Sequence, residues 1–128
     1  MNRRGRAGGV LPPALLTIAL AWAGVASAHW MSPDEVVAQV GAPSSREALG
    51  VEGATHDQNN ARLLSLRVGP DWYALPRAKR AKQAREWLDR WHRSVERGIV
   101  AILDAKTDKP VVRYVHGEVA EALDSPPK

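Results

Sequence analysis

The sequence predicts a small α+β domain in which one long amphipathic helix packs on a three-stranded sheet, with a short helix before it. Three observations predict this fold: an alternating apolar segment at 63–68, a helical apolar pattern at about 76–97, and a continuous apolar segment directly after it. A strand, a helix and a strand in this order form a right-handed crossover, which places the helix on one face of the sheet.

The composition excludes several kinds of cross-link, metal centre and catalytic nucleophile. Because the chain has no cysteine, disulfides, thiolate zinc centres, iron–sulfur clusters and thiol nucleophiles are all excluded. Its length of 128 residues allows one ordinary domain. A packed hydrophobic core must therefore hold the fold together.

The first 28 residues have the pattern of an export signal. Three arginines precede an apolar segment at 14–26, and small residues follow at the third-last and last positions, Ala26 and Ala28. These are the features that an export channel and signal peptidase recognise. We therefore predict a bacterial-type signal peptide over residues 1–28, cleaved after Ala28, and a periplasmic or secreted protein.

The predicted mature chain is a single domain over residues 29–120, with a disordered tail at 121–128 that is rich in proline and polar residues. Three arginines leave with the signal peptide, so 15 basic residues remain against 14 acidic ones. The basic character of the whole chain therefore belongs largely to the signal. Nucleic acid is not an expected partner, because export removes the domain from the cytoplasm.

The N-terminal part of the domain is predicted to contain a short helix, a loop and a strand. Ser32 and Glu35 form a capping box around Pro33, and we expect this helix to cover the second face of the sheet. The polar residues 42–60 predict a long surface loop. Apolar residues alternate at 63–68 and predict the first strand.

The long helix is predicted from Pro76 to about Arg97, and Gly98 is placed to end it in a left-handed conformation. Its apolar stripe consists of Ala81, Ala84, Leu88, Trp91 and Val95, flanked by Trp87 and His92. Residues 99–103 predict a strand that is covered on both faces. A turn at 104–110 and a third strand at 111–116 complete the predicted sheet.

The sequence contains no nucleophile elbow, phosphate-binding loop or metalloprotease motif. His56 and Asp57 are adjacent, as an acid–base pair could be, but adjacent residues in a polar loop are more often simply solvated. Asp104 and Asp108 flank a turn and provide fewer oxygen ligands than calcium requires. We therefore predict a protein that is not an enzyme.

Positive charge is concentrated on the long helix, which has eight basic and three acidic residues. Such a helix attracts an acidic protein partner or an anionic membrane surface, although a merely solvated helix face explains the pattern as well. Lys79, Lys82 and Arg93 lie opposite the apolar stripe and are the predicted contact residues, together with an exposed Trp72. The stems of Arg77 and Arg80 are expected to pack near the stripe.

His29 would be the first residue after cleavage, with an α-amine and an imidazole that together chelate Cu(II). This single residue resembles the histidine brace of copper-binding exported proteins, and the resemblance implies a further ligand from His56, His92 or His116. The first hypothesis is a non-enzymatic periplasmic binding or accessory protein that contacts a partner and needs no cofactor, and the alternative is a periplasmic copper-binding protein. A small hydrolase, which would require a pocket at His56 or His92, comes third.

Overall fold

A computed structural model of the protein describes residues 31–128; the predicted signal peptide and His29 lie outside this part of the chain. The elements are α1 (Pro33–Val40), α2 (Pro43–Leu49), β1 (Val51–His56), β2 (Leu63–Val68), α3 (Pro70–Ala74), α4 (Arg77–Ser94), β3 (Ile99–Asp104), β4 (Val112–Val115) and β5 (Glu118–Ala122). The predicted α+β class, with a three-stranded sheet and one long helix, is confirmed.

The three-stranded sheet has the order β1-β2-β3. β2 pairs with β1 in antiparallel orientation and with β3 in parallel orientation. The parallel pair is joined through α3 and α4, because a crossover connection needs a helix to return the chain to the same edge. β4 and β5 form a separate antiparallel hairpin.

Two segments differ from the prediction. Residues 42–60 are not a long loop, because they contain α2 and β1. Residues 111–116 do not supply the third strand of the main sheet, since β4 pairs with β5 and β1 takes that place. β1 has only one large apolar residue, Val51, so it lacks the alternation that marks a strand, and its pairing with β2 defines it instead.

All the helices pack on one face of the sheet. Val36 and Val40 of α1 lie in the same buried cluster as Leu64 of β2 and Trp91 of α4. The expectation that the first helix covers the second face is therefore wrong. α1 begins with the predicted capping box between Ser32 and Glu35.

The core is built around three tryptophans, all of them buried. Trp72 stacks on Trp87 with ring centroids 5.4 Å apart. The Trp91 indole N–H donates to the Arg62 carbonyl oxygen at 2.8 Å, and its ring meets His56 edge to face. These contacts join α3 and α4 to the sheet through large rings with defined geometry.

α4 ends at Ser94, three residues before the predicted end. Arg97, and not Gly98, takes the left-handed conformation, with φ of 57°. Gly98 has a different role, because a Cβ at this position would lie 2.5 Å from the Trp91 ring. A glycine is therefore needed at position 98 because the backbone passes close to the Trp91 indole.

The second face of the sheet is open. By strand register it carries the side chains of Gly53, Thr55, Leu63, Ser65, Arg67, Ile99, Ala101 and Leu103. None of these residues is buried, and Ile99 is 40% exposed. The expectation that residues 99–103 are covered on both faces is therefore wrong.

The C-terminal residues contact the fold beyond residue 120. β5 continues to Ala122. The buried Arg80 guanidinium donates to the carbonyl oxygens of Leu75 and Leu123 and to the Asp124 carboxylate. These contacts fall in the segment for which the sequence predicted a disordered tail, and they depend on an arginine of the distant α4.

A candidate binding cleft between β3 and β4

The two sheets of the protein meet at one point and then diverge. Leu103 forms an isolated antiparallel bridge with Pro110, and the Val111 N–H donates to the Ile102 carbonyl oxygen at 2.9 Å. Beyond this contact β4 leaves β3 and pairs with β5. A cleft therefore opens between β3 and β4, and Pro110 lies at the end where the two strands touch.

The cleft has a volume of about 430 Å³. β3 lines it with residues 99–102, β4 with residues 112–114, and α4 with Leu88 and His92. His116 and Gly117, the turn between β4 and β5, line it as well.

β3 directs unpaired backbone groups into this cleft. The Ile99 N–H donates towards β2, to the Arg62 carbonyl, whereas the Asp104 N–H donates in the opposite direction, to the Lys109 carbonyl. Peptide groups alternate in direction along a strand, so the N–H and C=O of Val100 and the N–H of Ile102 point away from β2, towards β4. No backbone partner for these three groups is found in residues 31–128. Ile102 has no exposed surface and Val100 is 6% exposed, so Val100 is the accessible part of this edge.

Arg113 lines the cleft together with the imidazoles of His92 and His116, and no aspartate or glutamate lines it. Arg113 makes no ion pair within residues 31–128. Burial, followed by the charge of Asp89, raises the pKa of Tyr114, whose hydroxyl donates to the Ala84 carbonyl at 2.7 Å. The cleft is therefore suited to negative charge.

The rim of the cleft exposes apolar side chains. Among the described residues, Ile99 and Val115 are the large hydrophobic side chains that are exposed, each at 40%. Ile99 lines the cleft, and Val115 lies in β4 between the lining residues Tyr114 and His116. Ile99 therefore gives the cleft an exposed apolar side chain.

The four residues predicted to contact a partner do not share one surface. Lys79, Lys82 and Arg93 are exposed on α4 and form no ion pair with the part of the chain that the structure describes. The prediction that Trp72 is exposed is wrong. Trp72 is fully buried, because α3 turns its indole onto Trp87. Lys79, Lys82 and Arg93 form a second exposed surface, which we call the basic stripe.

The three candidate histidine ligands in the described chain do not form one group. His56 donates to the Ala61 carbonyl at 2.6 Å beside Trp91, and His92 donates to the Gly98 carbonyl at 2.8 Å. Only His92 and His116 share the cleft. Within residues 31–128 no set of three or more histidines and carboxylates is placed to hold a metal ion. The copper hypothesis continues to depend on His29.

The carboxylates that the sequence singled out have local partners. Asp57 accepts the N–H groups of Asn59 and Asn60, which closes a turn. Asp104 is buried, and its pKa is lowered, chiefly by the hydrogen bond from the Tyr73 hydroxyl. Asp104 also accepts two N–H groups of its own turn and lines a second cavity of about 330 Å³. Its oxygens are therefore already engaged.

Sequence reasoning missed the cleft, although one signal for its hairpin was present. His116 and Gly117 have φ of 53° and 80°, and positive φ at both central residues defines the two-residue type I′ turn. Alternation at 111–116, followed by a glycine and a further short segment at 118–122, is a hairpin pattern. The divergence of β4 from β3 carries no such local signal.

Comparisons of the chain with models of protein families, with curated proteins and with solved structures gave no match. In the described range, no helix has the length and apolar character needed to cross a bilayer. The argument for function therefore rests on the cleft itself.

Proposed function

We propose that this protein is an exported, non-enzymatic binding protein that holds an extended acidic segment of a partner protein in the β3–β4 cleft. The observation that carries the proposal is the edge of β3 at Val100, whose backbone N–H and C=O have no partner within the described chain and lie at the cleft. A free strand edge pairs readily with another extended chain. In such complexes the main-chain hydrogen bonds supply affinity and the adjoining side-chain pockets supply specificity.

The charge of the cleft favours an acidic partner. Arg113 lines the cleft, and the described chain forms no ion pair with it, although Glu121 is its neighbour on the paired strand. Complementary charge speeds association and selects against basic segments. Ile99 adds an exposed apolar side chain to the cleft.

Export is supported by residues 1–28, whose charged start, apolar segment and final Ala26 and Ala28 fit signal peptidase. N-terminal sequencing of the protein recovered from a bacterial periplasm is expected to begin at His29. A sequence that begins at Met1 would contradict this part of the proposal and would also remove the free amine on which the copper hypothesis depends.

A peptide-binding experiment tests the cleft. The probe is a fluorescent pool of decapeptides that end in four randomised Val, Ile, Leu or Thr positions after an Asp- and Glu-rich segment. A second pool replaces the acids with lysine. Fluorescence anisotropy is expected to show binding of the acidic pool only, and the affinity should fall with added salt.

Two variants with the same change in net charge separate the cleft from the basic stripe. Arg113→Gln is expected to weaken binding of the acidic pool about tenfold or more, whereas Lys79→Gln should change it less than about twofold. Both positions are exposed, and glutamine avoids placing a second carboxylate opposite Glu121. Equal losses, or a loss in Lys79→Gln alone, would overturn the assignment of the cleft as the binding site.

A further inference from the structure

The second cavity, of about 330 Å³, lies at the carboxyl ends of the two parallel strands. Val68 ends β2 and Asp104 ends β3, and these two residues pair in register. β2 continues into α3 and β3 into a turn, and residues of both connections line the cavity. It shares no lining residue with the β3–β4 cleft. In open sheets with parallel strands, the crevice outside the carboxyl ends is the usual place for a ligand.

The walls of the second cavity are mainly apolar. Its apolar lining residues are Val68, Pro70, Ala105 and Pro126. Asp104 is buried, and its carboxylate accepts the Tyr73 hydroxyl and two N–H groups of the turn, so these groups hold one wall in place. Small-molecule sites have volumes of about 300–1,000 Å³. The second cavity is near the lower limit of this range and therefore suits a small ligand.

Two opposite charges line the second cavity without neutralising each other. The Glu52 carboxylate lies so close to the Gly69 backbone that a Cβ at position 69 would overlap it. Within residues 31–128, neither Glu52 nor Lys106 forms a side-chain ion pair, with each other or with another residue. A cavity with one carboxylate and one ammonium to satisfy complements a ligand that has both charges itself.

We propose that the second cavity binds a small zwitterion with an apolar body, namely a free apolar α-amino acid. The ammonium of the ligand contacts Glu52, its carboxylate contacts Lys106, and its side chain packs on the apolar wall. Both polar contacts are charge-assisted hydrogen bonds, and the apolar surface of the ligand is removed from water. This site is separate from the cleft that holds the partner segment, and neither site depends on the other.

Ligands with a single charge fit the second cavity less well. An amine without a carboxylate meets the Lys106 ammonium, and like charges repel. A carboxylate without an amine meets Glu52 and the buried Asp104. The zwitterion alone gives each of the two charged side chains a counter-charge.

A titration of the mature protein with L-alanine, L-valine, L-leucine and L-methionine tests whether the cavity binds amino acids. NMR shifts of the backbone N–H groups of Gly69, Ala105 and Lys106, which line the cavity, report binding. We expect saturable shifts at these positions for at least one of the four amino acids. If none of them shifts these signals, the proposal is overturned.

Two analogues of leucine test the charges of the ligand. Isopentylamine is leucine without its carboxylate, and 4-methylpentanoate is leucine without its ammonium, so all three share one apolar body. Leucine is expected to bind about tenfold or more tightly than either analogue, because each analogue loses one charge-assisted contact. An analogue that binds as tightly as leucine would overturn the assignment of a zwitterion.

Four variants assign the two contacts. Glu52→Gln should remove the preference for leucine over 4-methylpentanoate, and Lys106→Gln should remove the preference for leucine over isopentylamine. Glu47→Gln and Lys79→Gln make the same changes of charge at positions that do not line the cavity, and they should change leucine binding less than about twofold. All four side chains are exposed, so the fold is preserved. Equal effects of the cavity variants and their controls would overturn the proposed contacts.

Gly69→Ala tests the position of the Glu52 carboxylate without removing its charge. The three heavy atoms nearest to a Cβ at position 69 all belong to the Glu52 side chain. The Gly69 backbone has φ of −108°, which alanine adopts without strain. The added methyl group should therefore displace the carboxylate and weaken leucine binding about as much as Glu52→Gln does, while the urea midpoint stays close to that of the parent protein. Leucine binding that survives either substitution unchanged would overturn the assignment of Glu52.

Discussion

On the face of the main sheet that carries the helices, the large apolar side chains are enclosed, and Trp72, Trp87 and Trp91 fix the packing through rings. On the other side, the edge of β3 leaves Ile99 40% exposed and directs unpaired peptide groups into a cleft. The same strand contributes to both regions, since Val100 and Ile102 are buried in the core while the unpaired peptide groups of Val100 lie at the edge beside the cleft. The fold therefore obtains its stability from one side of β3 and leaves the other available for contact.

The largest expected contrast is between a tryptophan of the covered face and an aliphatic residue of the open edge. Trp91→Ala should lower the free energy of unfolding by ~3–5 kcal/mol, the range for deleting a buried large aromatic side chain. Ile99→Ala should lower it by less than ~1 kcal/mol because the side chain is already exposed. Urea unfolding curves that gave equal losses would contradict the division of roles.

Two glycines in the left-handed conformation provide a second contrast. Gly50 has φ of 73°, and a Cβ there would lie 2.4 Å from the Trp72 backbone nitrogen, whereas the space beside Gly117 is empty. Gly117→Ala should cost ~1–2 kcal/mol of stability, the strain of a left-handed residue alone. Gly50→Ala should cost clearly more, because its clash involves backbone. Similar melting temperatures for the two variants would argue against the close packing of α3.

Local patterns predicted the elements of the covered side. The spacing of Ala84, Leu88 and Trp91 identified α4, and the alternation at 63–68 identified β2, because burial on one face produces a period that the sequence records. Arg80 shows the limit of this reasoning: its burial depends on carbonyl groups of Leu75 and Leu123, which only the folded chain brings to it. Trp72 was misplaced for the same reason.

The open side was harder to predict because its features come from relations between elements. β1 is a strand through its pairing with β2, and the cleft exists because β4 turns away after Val111. Residues 42–60 have no alternating pattern, and the alternation at 111–116 predicts a strand without indicating which strand it pairs with. Lys79, Lys82 and Arg93 were correctly expected to be exposed, but exposure alone does not distinguish a contact surface from a solvated one.

The smallest expected effect concerns the C-terminal segment and is visible as a dependence on pH. Hydrogen bonds from Arg77 and Arg80 lower the pKa of Asp124 to about 2. Because this value lies below the ~3.9 of an unfolded aspartate, the ion pair stabilises the fold fully above about pH 4, and this contribution is lost as the pH falls towards 2.

Asp124→Asn should therefore reduce the free energy of unfolding slightly at pH 7. It should also make the free energy of unfolding depend less on pH between about 4 and 2. Glu121→Gln, which removes an exposed carboxylate without an ion pair in the described chain, is the control. If the free energy of unfolding falls equally below about pH 4 in the Asn variant and the parent protein, Asp124 does not anchor the segment in solution.

Amide hydrogen exchange of β3, measured by NMR on the mature protein, tests most directly whether its outer edge is free to pair with another chain. The N–H group of Val100 should exchange faster than those of Ile99, Ala101 and Leu103, which point towards β2. Adding the acidic peptide pool should then slow the exchange of Val100 selectively. Uniform protection from 99 to 103 in the free protein would show that the edge is already paired and would contradict the account.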